Sequence, residues 1–178
     1  MQIETERLTL MACGFEELDQ FVSDRSGLAT RLGVTIPNDF PVFPEGIDWW
    51  RTRMQNESVA LGWAIWFVIR KEDRILIGDG GFKGPPNEVG EGEIGYALVE
   101  NARGSGLGKE LARALSDWAF KHPDVTAVLA ETLVDGAASI GVLKSLGMTQ
   151  VGTYDDPDEG TILQWRVDRA AYTARSKS

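Results

Sequence analysis

Apolar residues recur along the chain at two spacings. Where they fall three and four apart, one side of a helix is apolar. Residues 15–22 show this through Phe15, Leu18, Phe21 and Val22. Residues 107–121 show it through Leu107, Leu111, Leu115, Trp118 and Ala119. Residues 47–57, with Trp49, Trp50 and Met54, read as a shorter helix, and residues 137–146 as one closed by Gly147, a residue that accepts a left-handed C-cap. Strands are expected over 7–12, 63–70, 75–83, 92–99, 125–132, 148–153 and 161–167. The run over 63–70 is apolar on both faces, as a central strand covered on both sides would be. The charged turn Lys71-Glu72-Asp73-Arg74 joins it to the next strand in a hairpin. Residues 27–46 contain Pro37, Pro41 and Pro44 and read as one irregular connection, a kind of loop that is often functional. The tail from Ala170 is small and polar and is expected to fray. The resulting order, β-α-α-β-β-β-α-β-α-β-β, predicts a single α/β domain over residues 1–178: a mixed sheet with helices on its faces.

The length of 178 residues suits one domain with a substantial core. Hydrophobic residues make up 43% and charged residues 25%, ordinary values for a globular chain. The net charge of −9 speaks against nucleic acid or an anionic membrane as partner; it could favour a cationic substrate, but a plain solvated acidic surface is the simpler reading. Cys13 is the one cysteine and His122 the one histidine, so neither a disulfide nor a zinc cluster is expected and no metal is assigned. Cys13 reads as a small buried hydrophobe. The N-terminus is charged and the most apolar run, 61–69, is too short to span a bilayer, so the expected compartment is the cytoplasm.

Chemistry concentrates in Arg103-Gly104-Ser105-Gly106-Leu107-Gly108-Lys109, between an expected strand and an expected helix. A helix N-terminus exposes unpaired N–H groups and the positive end of its dipole, and glycines let that backbone approach an anion, so the loop suits phosphate. A nucleotide P-loop would need glycine at Arg103 and Ser or Thr at Glu110. The dinucleotide fingerprint would need glycine at Lys109. The pattern Q/R-x-x-G-x-G/A is met by Arg103, Gly106 and Gly108.

That pattern is the pyrophosphate loop of the GCN5-related N-acetyltransferase (GNAT) superfamily. It is flanked by Gly92-Glu93-Ile94-Gly95-Tyr96-Ala97-Leu98 before it and by Ala137-Ala138-Ser139-Ile140, Val142-Leu143 and Leu146-Gly147-Met148 after it. With the Thr5-Glu6-Arg7-Leu8 opening, the chain resembles this superfamily over most of its length, and more closely its ribosomal-protein N-terminal acetyltransferase-like branch. The likeness is weakest over 27–60, the superfamily's variable substrate-binding part. The resemblance implies the GNAT fold, with a mostly antiparallel sheet, and acetyl-CoA as cosubstrate. It implies that the strand ending at Leu98 and Val99 splays from the one over 125–132, with pantetheine in the gap against the backbone of Leu98, Val99 and Glu100. It implies that the amides of Arg103, Gly104, Ser105, Gly106, Leu107, Gly108 and Lys109 hold the pyrophosphate, with Arg103, Lys109 and Arg113 as nearby cations. Two positions depart from the family. Gly136 stands where an Asn often contacts pantetheine, and Leu143 where many members carry a Tyr acid for the leaving thiolate, although the ribosomal-protein branch commonly shares this Leu. Ser139 remains as a group for the cofactor or its sulfur.

Acetyl transfer to an amine needs loss of an ammonium proton, which a carboxylate can accept. Glu93 is the expected base, with Glu91 on the same strand face and Asp79 on the neighbouring strand as alternatives. The Leu98 N–H is the expected donor to the oxyanion. Trp49, Trp50, Trp63 and Trp66 supply either an aromatic wall for an ammonium or plain core. The expected acceptor is a primary amine of a small molecule or of a protein N-terminus. A non-catalytic acyl-CoA-binding or regulatory module on the same fold is the alternative. The resemblance also leaves a homodimer open.

Overall fold

The computed structural model describes residues 1–175 of the chain. Eight strands form one sheet in the order β1-β2-β3-β4-β5-β6-β8-β7. They are β1 (Gln2–Glu4), β2 (Leu8–Ala12), β3 (Ile65–Arg70), β4 (Ile75–Phe82), β5 (Glu91–Leu98), β6 (Ala127–Leu133), β7 (Thr149–Asp156) and β8 (Gly160–Asp168). Neighbours are antiparallel except β5 and β6, which run parallel. Helices α1 (Phe15–Ser23), α2 (Arg25–Leu32) and α3 (Pro44–Asn56) precede β3; α4 (Leu107–Phe120), α5 (Ala137–Ser145) and α6 (Arg169–Arg175) lie later.

The alternation of strand residues divides the helices between the two faces. Trp66 of β3 stacks edge-on with Trp118 of α4, centroids 5.4 Å apart, while its neighbour Phe67 meets Phe21 of α1 at 5.7 Å. One face therefore carries α1–α3 and the other α4, against which α5 packs. The mixed sheet with helices on both faces is as the sequence predicts.

Three expectations are corrected. A short strand, β1, precedes the first expected one; Ile3 is its one partly buried residue, so it has almost no apolar signal. The stretch over 27–46 is not one irregular connection. It holds most of α2, capped at its start by Asp24, whose carboxylate accepts from the Gly27 N–H at 2.9 Å, and closed by Gly33 at φ +62°. Its far end begins α3 at Pro44, a residue suited to the first helical turn. Between these helices, Arg25 donates to the carbonyls of Pro37 and Phe40, both at 2.6 Å. Finally, the expected frayed tail is helical to Arg175. Tyr172 is buried against Phe120, with centroids 4.9 Å apart, and donates to Asp117 at 2.8 Å. The rest of that tail, 176–178, lies outside the described residues.

Candidate active site

The site is built on the one parallel pair. The β5–β6 ladder runs from Glu91 opposite Ala127 to Ile94 opposite Ala130 and stops there. Beyond it β5 continues to Leu98 against β4, while β6 continues to Leu133 against β8. A gap opens between them. On β5, Glu93 and Val99 bond toward β4: Lys83 donates its N–H to the Glu93 carbonyl at 3.0 Å, and Val99 donates to Ile77 at 2.9 Å. By the alternation of an antiparallel ladder, the intervening Tyr96 and Leu98 turn their backbone groups toward the gap. Leu98 thus turns its backbone to the gap, while the Val99 N–H is already given to β4. The Leu98 carbonyl is taken by Arg103, whose Nε donates to it at 2.8 Å. Arg103 thus braces the strand end as well as sitting beside the loop.

After a single 3₁₀ turn, Glu100–Ala102, the glycine loop leads into α4. Gly104 at φ +76° and Gly106 at φ +84° adopt the left-handed conformation, and Gly106 caps the helix. Leu107 and Gly108 then start the helix, with amides that no preceding helical carbonyl can receive. Gly108 faces α5, where a Cβ would make an ordinary contact with Val142 at 3.6 Å. Glu110, in this first turn, is a carboxylate placed where an anion would meet it. It is tied back by the chain's opening. Thr5 Oγ1 donates to it at 2.6 Å, and the Arg7 N–H and Nε each donate at 2.7 Å. Burial pushes the Glu110 carboxyl up, but these hydrogen bonds outweigh it and hold the group below its ordinary range. Arg7 also donates from Nη1 to the Ser105 carbonyl at 2.9 Å. Lys109 and Arg113 are exposed on α4.

The carboxylates lie on the other face, under α3. Glu91 is ion-paired to Arg166 and accepts from Asn87 at 3.1 Å. Glu93 is ion-paired through Oε1 to Lys83, a close contact that lacks hydrogen-bond geometry; Lys83 also donates to Glu131 at 2.8 Å. Burial lowers the Lys83 pKa, and the bonds to Glu131 and Glu93 overcome that and raise it. Asp79 differs. Its Oδ2 is closed off from solvent with no hydrogen-bond partner, and burial pushes its carboxyl up to about 7. Asp79 pairs across the ladder with Ala97, one residue from Leu98.

Asp79 also lines a cavity of about 150 Å³ beneath α3, with Ile47, Trp50, Ile65, Phe82 and Gly95 among its walls. The space exists because Gly81 and Gly95, paired across the ladder, leave the sheet bare. A Cβ on Gly81 would collide with the Ala64 carbonyl at 1.9 Å, whereas one on Gly95 would meet nothing within 4 Å. Of the tryptophans weighed as an aromatic wall, Trp63 and Trp66 are core on the α4 face, Trp50 walls the cavity and Trp49 is exposed. The cation over Trp49 and Trp50 is the chain's own Arg53, 5.2 and 5.3 Å from their centroids.

On the α4–α5 face, Ser139 occupies the first turn of α5 and is half-buried. Leu143 is core and cannot donate a proton. The residue that the sequence reading passed over is Tyr96. Its hydroxyl is closed off from solvent and lies beside Ser139, yet no hydrogen bond of acceptable geometry joins them. Burial pushes the phenol up to about 12.

A parallel strand pair that parts at its C-terminal end over a glycine-capped helix N-terminus suits a long thioester cosubstrate with a pyrophosphate. The description "Acetyltransferase (GNAT) domain" fits residues 9–149, and the chain belongs to that family of acetyltransferases. It is 29% identical over 147 residues to an uncharacterized N-acetyltransferase, YjdG, of Bacillus subtilis, covering 82% of this chain and 88% of that one. It is 31% identical over 156 residues to an uncharacterized N-acetyltransferase, p20, of Bacillus licheniformis, covering 85% and 84%. Among solved structures, the ribosomal L7/L12 α-N-protein acetyltransferase RimL in complex with coenzyme A superposes with TM-score 0.68 at 17% identity, over 96% of this chain and 99% of that one. The aminoglycoside acetyltransferase AAC(6')-Ib in complex with coenzyme A gives 0.65 at 20%, over 96% and 99%. At these identities the likeness is one of fold. No group of His, Cys, Asp and Glu suited to a metal occurs among the described residues, and no helix there is long and apolar enough to cross a membrane.

Proposed function

We propose that this chain transfers the acetyl group of acetyl-CoA to a slender primary amine by direct attack, with both substrates bound at once. The observation that carries this reading is Asp79. A half-buried carboxyl with one oxygen shut off and unpartnered, on a largely apolar cavity one residue from the gap-facing amide of Leu98, is costly to maintain for packing alone. An ammonium entering that cavity would relieve it, and a pKa near 7 suits a base working at neutral pH.

In this reading the amides of Gly104 to Lys109 receive the pyrophosphate at the start of α4. Arg7, by holding Glu110 back, keeps that approach open. Pantetheine lies along the backbone of Tyr96, Leu98, Val99 and Glu100, and Ser139 faces it from α5. The Leu98 N–H stabilises the oxyanion of the tetrahedral adduct. Asp79 takes the amine proton, a role worth ~10²–10⁴-fold. Glu93, held by Lys83, contributes charge at the rim and is the second candidate for the base. Four side chains there, Asp79, Lys83, Glu93 and Glu131, sum to a negative charge that suits a cation.

The cavity limits the acceptor. At about 150 Å³ it falls below the ~300–1,000 Å³ of an ordinary small-molecule site. That fits an ammonium on an unbranched alkyl stem better than an aminosugar or an N-terminal α-amine flanked by backbone. The reading is tested by incubating the chain with acetyl-CoA and butylamine and looking for N-acetylbutylamine by mass spectrometry. Binding of acetyl-CoA with no amide formed from any linear amine would favour a non-catalytic acyl-CoA-binding module instead.

A further inference from the structure

We propose that Tyr96 is a catalytic residue, donating a hydrogen bond from its phenolic oxygen to the sulfur of CoA as the thiolate leaves. The proposal rests on the reading of the β5–β6 gap as the acetyl-CoA site, and it goes beyond that reading in naming the group that stabilises the leaving atom.

Position is the first argument. Tyr96 lies on the stretch of β5 that β6 has abandoned, two residues before Leu98. Its side chain is on the face of α4 and α5: a Cβ placed on its cross-strand partner Gly80 would meet the Tyr96 Cβ at 3.0 Å and Leu115 of α4 at 3.3 Å. From there the ring reaches to Ser139 at the start of α5. The hydroxyl thus stands between the strand and the helix that flank the gap.

The second argument is satisfaction. Three buried side-chain polar atoms among the described residues lack a hydrogen-bond partner, and they belong to Asp79, Glu93 and Tyr96. Asp79 and Tyr96 lie beside the gap on opposite faces of the sheet, and Glu93 lies in the β5–β6 ladder just before it opens. Glu93 has its ion pair with Lys83, whereas the Tyr96 hydroxyl has only Ser139 beside it, outside hydrogen-bond geometry. An unpaired hydroxyl closed off from water is a cost that phenylalanine would avoid in the same space. A partner arriving with the cosubstrate accounts for it. Burial also keeps the phenol protonated throughout the working range, so it acts as a standing donor and not as a source of a transferred proton. Leu143, buried in the core, leaves that role open.

The step balances without further reactants. The ammonium gives one proton to the Asp79 carboxylate, the amine so formed makes the C–N bond, and the tetrahedral adduct sheds the second proton to water. The C–S bond breaks with both electrons going to sulfur. The thiolate leaves under the Tyr96 hydrogen bond and takes its proton from water on release.

The test needs no acceptor. Free CoA is bound to the parent and to Tyr96→Phe, and the thiol is titrated by its thiolate absorbance. A donor to the thiolate lowers the bound thiol's pKa, so the parent should titrate about one pH unit lower than the variant, equivalent to ~10-fold in the equilibrium. Equal values in the two proteins would overturn the proposal. Failure of the parent to bind CoA would overturn the site reading itself. Thermal melting supplies a check on structure. With no internal partner to lose, Tyr96→Phe should melt at or above the parent. A variant melting well below it would mean that the hydroxyl serves the fold, and the proposal would fall.

Discussion

Replacing Asp79 with Asn should abolish two opposite responses of the parent to rising pH, a loss of stability and a gain of activity. Burial moves the carboxyl from 3.8 to about 7 in the folded chain. A raised carboxyl pKa means that the charged form is the disfavoured one, so its stability contribution is intact below the unfolded value and is lost as pH rises through the folded value. Once the pH exceeds both, the folded state is disfavoured by ~4 kcal/mol relative to a group whose pKa does not change. Most of that loss falls in an accessible window: between pH 5 and pH 8 it amounts to ~2–3 kcal/mol. Asp79→Asn removes this dependence and leaves every other titrating group in place. Urea unfolding of both proteins at pH 5 and pH 8 reads the difference directly. The variant should gain on the parent by ~2–3 kcal/mol between the two values. Over the same range, parental kcat/KM should rise to a plateau above about 7 as the carboxylate forms, and the variant should lose that limb along with ~10²–10⁴ in rate. A stability difference that does not change with pH would refute the argument, because it would show that the carboxyl is not held in an uncompensated site.

Other substitutions separate the two substrates. Gly95→Val places a side chain in open space within the cavity, so it should cut turnover of butylamine at least ~10-fold while leaving acetyl-CoA affinity, read by calorimetry, unchanged. Gly106→Val forces a branched residue to φ +84° where backbone must approach an anion; acetyl-CoA affinity should fall at least ~10-fold, in a protein shown by melting to be folded. Arg7→Ala frees Glu110 beside the loop and should weaken acetyl-CoA binding several-fold, more at low salt than at high. Glu93→Gln should lower turnover less than Asp79→Asn does; the reverse order would return the proton-accepting role to Glu93.

The elements legible in the sequence are those with strong periodicity. α1 and α4 bury continuous apolar stripes, and β3 is buried along almost its whole length. α2 was hidden because it buries only Leu28 and contains Gly27, so its signals were its caps, Asp24 and Gly33, not a stripe. α6 was hidden because one residue, Tyr172, anchors it. The glycine loop is legible because Gly104 and Gly106 fall at a strand-to-helix junction. The choice among the carboxylates is less so. Glu91, Glu93 and Asp79 alternate onto one face, and strand periodicity cannot say which of them is already paired. Arg166 and Lys83, distant in sequence, decide that. Tyr96 was missed for a related reason: a buried hydroxyl without a partner is a property of packing, which no local pattern carries.

The most direct test of acetyl transfer to a slender amine is the initial rate of free CoA release from acetyl-CoA, measured at pH 8 with butylamine, glucosamine and a short peptide bearing a free α-amine and no lysine. The site predicts release that depends on the acceptor, with kcat/KM for butylamine at least ~10-fold above that for either bulkier amine, since one misfit in a packed pocket costs that much or more. Release that favours the peptide or the aminosugar, or that does not depend on any amine, would contradict the assignment of the Asp79 cavity as the acceptor site.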